Sequence, residues 1–133
     1  FIYTDWPLMN GAVFPPVEWG KGAIAFLHDQ ALVQFNHRIG AYLLLAVGTA
    51  YAVHAWRWRL AEGLGLSAFV LAGGLWLQAG LGVMTLMHAV PIALGALHQA
   101  VAALVLGAAT VNLWLVRRSR PRLFMSGPRS TGL

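Results

Sequence analysis

Three long stretches of the chain are almost entirely apolar and are separated by short polar links. They cover residues 34–56, 64–86 and 91–116. As a helix, each stretch rises about 1.5 Å per residue and would cross the roughly 30 Å hydrocarbon core of a bilayer. The pattern therefore predicts an all-α fold, a polytopic membrane helical bundle with three transmembrane helices. The link after the second stretch ends at Pro91, which is suited to the first turn of a helix.

Composition and charge agree with a membrane location. The chain of 133 residues is 59% hydrophobic and 10% charged, whereas soluble domains carry about 25% charged residues. The net charge of +5 is concentrated in residues 117–133, so we expect a basic cytoplasmic tail rather than a nucleic-acid site. The first and third helices then run from outside to inside. Five of the nine basic residues lie in this tail: Arg117, Arg118, Arg120, Arg122 and Arg129.

Residues 1–33 are expected to form an external loop, because Trp6-Pro7 and Pro15-Pro16 interrupt regular structure. Within it, Lys21 to Leu32 has two open interpretations, a short amphipathic helix on the membrane surface or an ordered loop. We expect the chain to be a piece of a longer protein, with residues 1–3 as the end of an earlier helix. The absence of cysteine excludes disulfides and thiolate metal sites in this chain.

Two histidines are the candidate metal ligands. His37 lies near the outer end of the first helix, and His98 lies seven residues after Pro91 in the outer half of the third. Because these two helices run in the same direction, both imidazoles are expected at a similar depth. Two neutral imidazoles on neighbouring helices can bind the iron of a haem from its two faces. The sequence therefore suggests a b-type haem, with interhelical hydrogen bonding as the alternative.

Small residues follow both histidines on the same helix face. Ala41 and Ala102 come one turn later, and Gly48 and Ala52 continue the first stripe. They would let a flat macrocycle lie against the backbone, or they would let two helices pack closely. Both interpretations remain open at this point.

Three polar neighbours complete the candidate site. Arg38 could pair with a haem propionate or snorkel to the interface. Gln34 and Gln99 could bind a propionate, orient an imidazole, or form interhelical hydrogen bonds. Gln78, in the second helix, is interpreted as a packing residue. His28, His54 and His88 are interpreted as interfacial histidines, and His54 lies about 25 Å along the helix from His37, too far to share its iron.

Four motifs in the expected order carry a family resemblance. They are TDWPLMNG at residues 4–11, QFNHRIGAY at 34–42, LGVMTLMHAVP at 81–91 and HQAVA at 98–102. Together they resemble the carboxy-terminal half of haem A synthase, an oxidoreductase of cytochrome oxidase assembly. The resemblance covers nearly the whole chain.

The resemblance implies an eight-helix protein built as two similar four-helix halves. The amino-terminal half would oxidise the methyl group of its substrate haem O to the formyl group of haem A, and the carboxy-terminal half would hold haem b. By motif, His37 and His98 would be the two iron ligands. The amino-terminal half commonly has Glu three residues before its first histidine, and Gln34 at that spacing agrees with the cofactor half. Some relatives carry an external cysteine pair that is absent here.

The implied partners are the amino-terminal half, haem O, haem O synthase, cytochrome c oxidase and an electron carrier. The implied location is the bacterial inner membrane, or the mitochondrial inner membrane in a eukaryote. We expect this segment alone to be inactive. Two alternatives stay open: a bis-histidine membrane cytochrome that only transfers electrons, and a structural membrane subunit without a cofactor.

Overall fold

A computed structural model describes residues 3–15, 22, 24, 28–58 and 63–119. The described part is helical apart from its loops and contains three long helices: α1 (Gln30–Arg57), α2 (Leu64–Met87) and α3 (Ile92–Ser119). All three are long and apolar enough to cross a membrane. The predicted all-α fold with three transmembrane helices is therefore confirmed. The tail beyond residue 119 and most of the predicted amphipathic helix lie outside the described residues.

Helix α1 begins four residues earlier than the apolar pattern suggested, because a capping residue precedes it. The Asp29 carboxylate accepts a hydrogen bond of 3.0 Å from the Leu32 backbone N–H. This bond satisfies one of the amide groups that a helix start leaves without a partner. Residues 30–33, expected in the loop, therefore form the first turn of α1. Helix α3 begins directly after Pro91 and includes Arg117 and Arg118 in its last turn.

The helices are arranged with α2 in the middle. Both α1 and α3 pack against α2, and no Cα atoms of α1 and α3 lie within 8 Å of each other. Close packing of α1 on α2 uses small side chains: a buried cluster of Ala52, Ala55, Ala68 and Ala72. Because backbones approach most closely where side chains are small, this cluster fixes the α1–α2 contact. Side chains alone span the space between α1 and α3.

The connection between α2 and α3 is a tight, strained turn. Ala89 and Val90 both have positive φ, 55° and 57°, a conformation that is unusual for a residue with a side chain and especially for a β-branched one. The Val90 N–H donates to the Thr85 carbonyl at 2.8 Å, which closes the turn. The turn places the start of α3 directly beside the end of α2, so the outer halves of these two helices form an antiparallel pair.

Candidate functional site

The structure brings His37 and His98 together across the space between α1 and α3. Their ring centroids are 6.4 Å apart, with an angle of 74° between the ring planes. His98 is partly buried and His37 is exposed. The two helices run in parallel, since each histidine lies in the second turn of its helix. The predicted similarity in depth is therefore present in the structure.

This separation suits two imidazoles that share one metal ion. A metal–nitrogen bond of about 2.0 Å on each side, with about 1.1 Å from each nitrogen to its ring centre, gives about 6.3 Å between centroids. Haem iron already has four porphyrin nitrogens and accepts two more ligands, one on each face. The residues present therefore fit a bis-histidine haem.

Helix α2 forms the third side of the histidine pair and leaves room for one ring. A side chain at Gly82 would begin 3.1 Å from Cε1 of His98, closer than ordinary van der Waals contact. The imidazole of His98 thus lies directly against the α2 backbone. Any residue larger than glycine at position 82 would displace the ring.

Gln78, one turn before Gly82, makes the contacts with His98 that the sequence interpretation missed. Its amide nitrogen donates to the His98 backbone carbonyl at 3.0 Å and lies 3.2 Å from His98 Nε2. One signal was available: Gln78 and His98 each lie ten residues from His88, in the turn between α2 and α3. Equal distances from a tight turn place two residues at the same level in an antiparallel helix pair.

Gln34 and Arg38 contact the external loop in this structure. The Arg38 guanidinium donates to the carbonyls of Leu8 at 2.9 Å, Asp5 at 3.0 Å and Pro7 at 3.4 Å. Gln34 Nε2 donates to the Tyr3 carbonyl at 2.6 Å. Arg38 is buried, and its Nε has no partner among the described residues. The third predicted neighbour, Gln99, is exposed.

The external loop is itself compact. Met9 and Ala12 exchange backbone hydrogen bonds around a turn in which Asn10 and Gly11 both have positive φ, the conformation of a tight hairpin turn. The Asp5 carboxylate accepts from the Gly11 N–H at 3.3 Å. The backbone N–H of Asn10, chiefly, and that of Gly11 hold the pKa of Asp5 below its usual value, against an opposing effect of desolvation.

A second polar connection joins the helices nearer their inner ends. The Tyr51 hydroxyl of α1 donates to Asn112 Oδ1 of α3 at 3.0 Å, and Asn112 Nδ2 donates to Ser67 Oγ of α2 at 2.8 Å. We call this three-residue set the inner bridge. Tyr51 follows His37 by 14 residues, and Asn112 follows His98 by 14 residues. The two parallel helices therefore keep the same register at both levels.

The small residues divide between the two interpretations. Gly48 lies directly against the Leu75 side chain of α2, and Ala52 is buried in the α1–α2 cluster. These two serve helix packing. Ala41 and Ala102 are partly buried, one turn beyond the histidines. Of the remaining histidines, His88 is exposed, with its Nδ1 2.8 Å from the Met84 carbonyl.

Comparison with known proteins was made by family and by individual sequence. Residues 1–110 match the COX15-CtaA family, described as cytochrome oxidase assembly protein. The chain is 55% identical over 120 residues to a protein named Heme A synthase from Caulobacter vibrioides, covering 89% of this chain and 35% of that protein. No solved structure matches the chain.

Two further relatives carry the same name. The chain is 52% identical over 119 residues to Heme A synthase of Caulobacter sp. strain K31, covering 88% of this chain and 35% of the relative. It is 45% identical over 114 residues to Heme A synthase of Methylobacterium sp. strain 4-46, covering 83% and 32%. The chain thus spans about a third of the length of the curated relatives that it matches.

Proposed function

The chain belongs to the COX15-CtaA family of cytochrome oxidase assembly proteins, and from that membership we propose that its helices are the haem b-binding, carboxy-terminal half of a haem A synthase. The complete enzyme oxidises the methyl group of haem O to the formyl group of haem A for cytochrome c oxidase. The relatives named Heme A synthase support this activity. Residues 34–116 are the haem-binding unit, with residues 1–33 outside the membrane and 117–133 in the cytoplasm.

In this proposal His37 and His98 are the two axial ligands of the haem. The observation that carries it is the 6.4 Å separation of the two ring centroids on parallel helices. Each neutral imidazole offers one nitrogen lone pair to the iron, and Gly82 leaves the space that the His98 ring occupies. A haem bound in this way supplies electron transfer, because both axial positions of its iron are filled.

The polar residues at the outer end complete the site. Arg38 carries a positive charge where the negatively charged propionates of a haem would reach the membrane surface, and its unpartnered Nε supports a role there. Gln34, held to the loop, and Gln99, exposed beside His98, are further propionate donors. Arg38 would then serve the loop and the haem at once.

The surroundings follow from the family. The partners are the amino-terminal half, haem O, haem O synthase, cytochrome c oxidase and an electron carrier. The location is the bacterial inner membrane, with the carboxy terminus in the cytoplasm. Because the substrate site belongs to the other half, this segment alone does not convert haem O.

The test is a reduced-minus-oxidised optical spectrum of the full chain as the cell makes it, purified in detergent. We expect a low-spin b-type signal that is lost or becomes high-spin in both His37→Ala and His98→Ala. His54→Ala is the matched control, since it removes an imidazole from the same helix as His37 but at the inner end. If no haem is bound, or both ligand variants keep the wild-type spectrum, the ligand assignment is wrong.

A second measurement separates the synthase from a cytochrome that only transfers electrons. Haem extracted from cells that make haem O and this protein should contain haem A. Conversion should stop when the histidines of the amino-terminal half are changed, although the signal from His37 and His98 persists. Haem O that remains unconverted by the intact protein would favour the electron-transfer alternative.

A further inference from the structure

Gln78 holds His98 in a way that distinguishes the two nitrogens of its ring. The Gln78 amide nitrogen has two hydrogens and two neighbours on His98, the backbone carbonyl at 3.0 Å and Nε2 at 3.2 Å. The carbonyl can only accept, so it requires the nitrogen rather than the oxygen of the amide to face it. The second amide hydrogen then points towards Nε2.

An amide hydrogen directed at Nε2 needs a lone pair there. A neutral imidazole has one nitrogen with a hydrogen and one with a lone pair. With the lone pair on Nε2, the ring hydrogen is on Nδ1. The opposite tautomer would set a ring N–H against the amide N–H, and rotating the amide would set its oxygen against the carbonyl. Only one tautomer satisfies both contacts of the amide.

Nothing else in the described part of the chain selects the tautomer of His98. Its Nδ1 is buried and has no hydrogen-bond partner there, and Gln78 Oε1 is likewise buried without one. Gly82 presses on the ring through a carbon-facing contact, 3.1 Å to Cε1, which restricts where the ring lies but does not distinguish its two tautomers. The amide of Gln78 is therefore the one polar group here that decides which nitrogen keeps the lone pair.

We propose that Gln78 is a positioning residue that keeps the Nε2 lone pair of His98 available for a metal, through an amide anchored on the His98 carbonyl. This inference rests on the proposed ligand role of His98. When iron takes the Nε2 lone pair, the amide gives up one hydrogen bond and keeps the other, so it remains beside the ring. Metal-bound histidines generally depend on a neighbour that fixes their tautomer and orientation.

The first test measures the tautomer without haem. The full chain, labelled with ¹⁵N-histidine and freed of haem, is studied by NMR, with His98→Ala used to assign the signal. We expect Nδ1 to carry the hydrogen in the wild type, and a mixture of the two tautomers in Gln78→Met, which keeps the length of the side chain without its amide. Gln78→Leu, a second apolar variant, guards against a packing effect peculiar to methionine.

The second test measures haem affinity by titration of the same haem-free proteins. Loss of one orienting hydrogen bond should weaken binding about fivefold in both Gln78 variants. Asn112→Leu is the matched control, because it removes two interhelical hydrogen bonds of the inner bridge far from His98. We expect this control to keep the wild-type tautomer and an affinity within twofold of the wild type.

The outcomes separate this inference from the proposed function. If Gln78→Met and Gln78→Leu keep a single tautomer and the wild-type affinity, Gln78 is not a positioning residue, although His37 and His98 may still ligate haem by their own variants. If Asn112→Leu weakens haem as much as the Gln78 variants, the effect is general loosening and the inference fails. If the wild type binds no haem, the proposed function fails, and the tautomer measurement still tests the amide's hold on His98.

Discussion

Replacement of Arg38 tests how the external loop is held over the outer end of the bundle. The buried guanidinium bonds three loop carbonyls, at 2.9, 3.0 and 3.4 Å. Arg38→Met keeps an unbranched chain of similar length but removes all three bonds. Arg38→Lys keeps the charge, but a single ammonium group cannot reproduce the planar fork that reaches three carbonyls.

The magnitude follows from the two shorter bonds. Hydrogen bonds to a charged group contribute about 1.5–3 kcal/mol each, and the 3.4 Å contact adds little. Water can reach part of the opened loop, so we take the lower end and expect about 3 kcal/mol for Arg38→Met. At about 1.4 kcal/mol per factor of ten, the open form of the loop becomes about 150-fold more populated. Arg38→Lys should retain one bond and lose about half of this free energy.

Hydrogen exchange measured by mass spectrometry is the assay, on peptides covering residues 3–15. Exchange there should accelerate in both variants, more in Arg38→Met, whereas peptides from α2 and α3 should be unchanged. Haem retention measured on the same samples separates the two roles of Arg38. A charge contact with a propionate survives Arg38→Lys, and the loop clamp does not. Wild-type exchange of the loop in Arg38→Met would refute the clamp.

Three further predictions follow from single contacts. Gly82→Val should displace the His98 ring, whose Cε1 lies 3.1 Å from an added Cβ, and should lower haem retention at least tenfold with unchanged helix content by circular dichroism; full retention would contradict the fit. Asn112→Leu removes the inner bridge and should lower the free energy of unfolding by about 1 kcal/mol, measured by denaturation in detergent, since such bonds contribute about 0.6 kcal/mol each in membranes. The lowered pKa of Asp5 means that its carboxylate stabilises the loop above the pKa of the unfolded chain, and that this contribution is lost as the pH falls through the folded value. Loop exchange should therefore accelerate below about pH 4, and Asp5→Asn should remove that dependence; an unchanged pH response in this variant would assign it to another group.

The three helices could be predicted because their signal is long and local. Each run exceeds 20 apolar residues, and few other structures accommodate such a run. The start of α1 was set four residues late, because Gln30 and Gln34 interrupt the apolar pattern and the cap at Asp29 was not recognised. A cap contributes one hydrogen bond, which is a much weaker signal than a membrane span.

The histidine pair could be anticipated, but its polar surroundings could not. Parallel direction and similar depth are enough to bring His37 near His98. Depth does not say which way a side chain points, so Gln78 was interpreted as packing although it contacts His98. Likewise the role of Arg38 in the structure depends on the path of a loop more than 30 residues away in sequence, and the apolar pattern carries no information on that path.

The separation of the two imidazoles depends on contacts that lie far from them. Helices α1 and α3 have no close backbone contact, so the packing of each on α2 and the inner bridge set their spacing. Fourteen residues correspond to about 21 Å along a helix. A tilt of α1 by about 5° at the bridge would therefore move His37 by about 2 Å, whereas metal–ligand distances tolerate about 0.2 Å. Attachments at one end cannot hold such a tolerance. The loop clamp on Arg38 restrains α1 at the level of His37, and Gln78 restrains His98 on α2, so the ligand pair is held from both sides at its own depth.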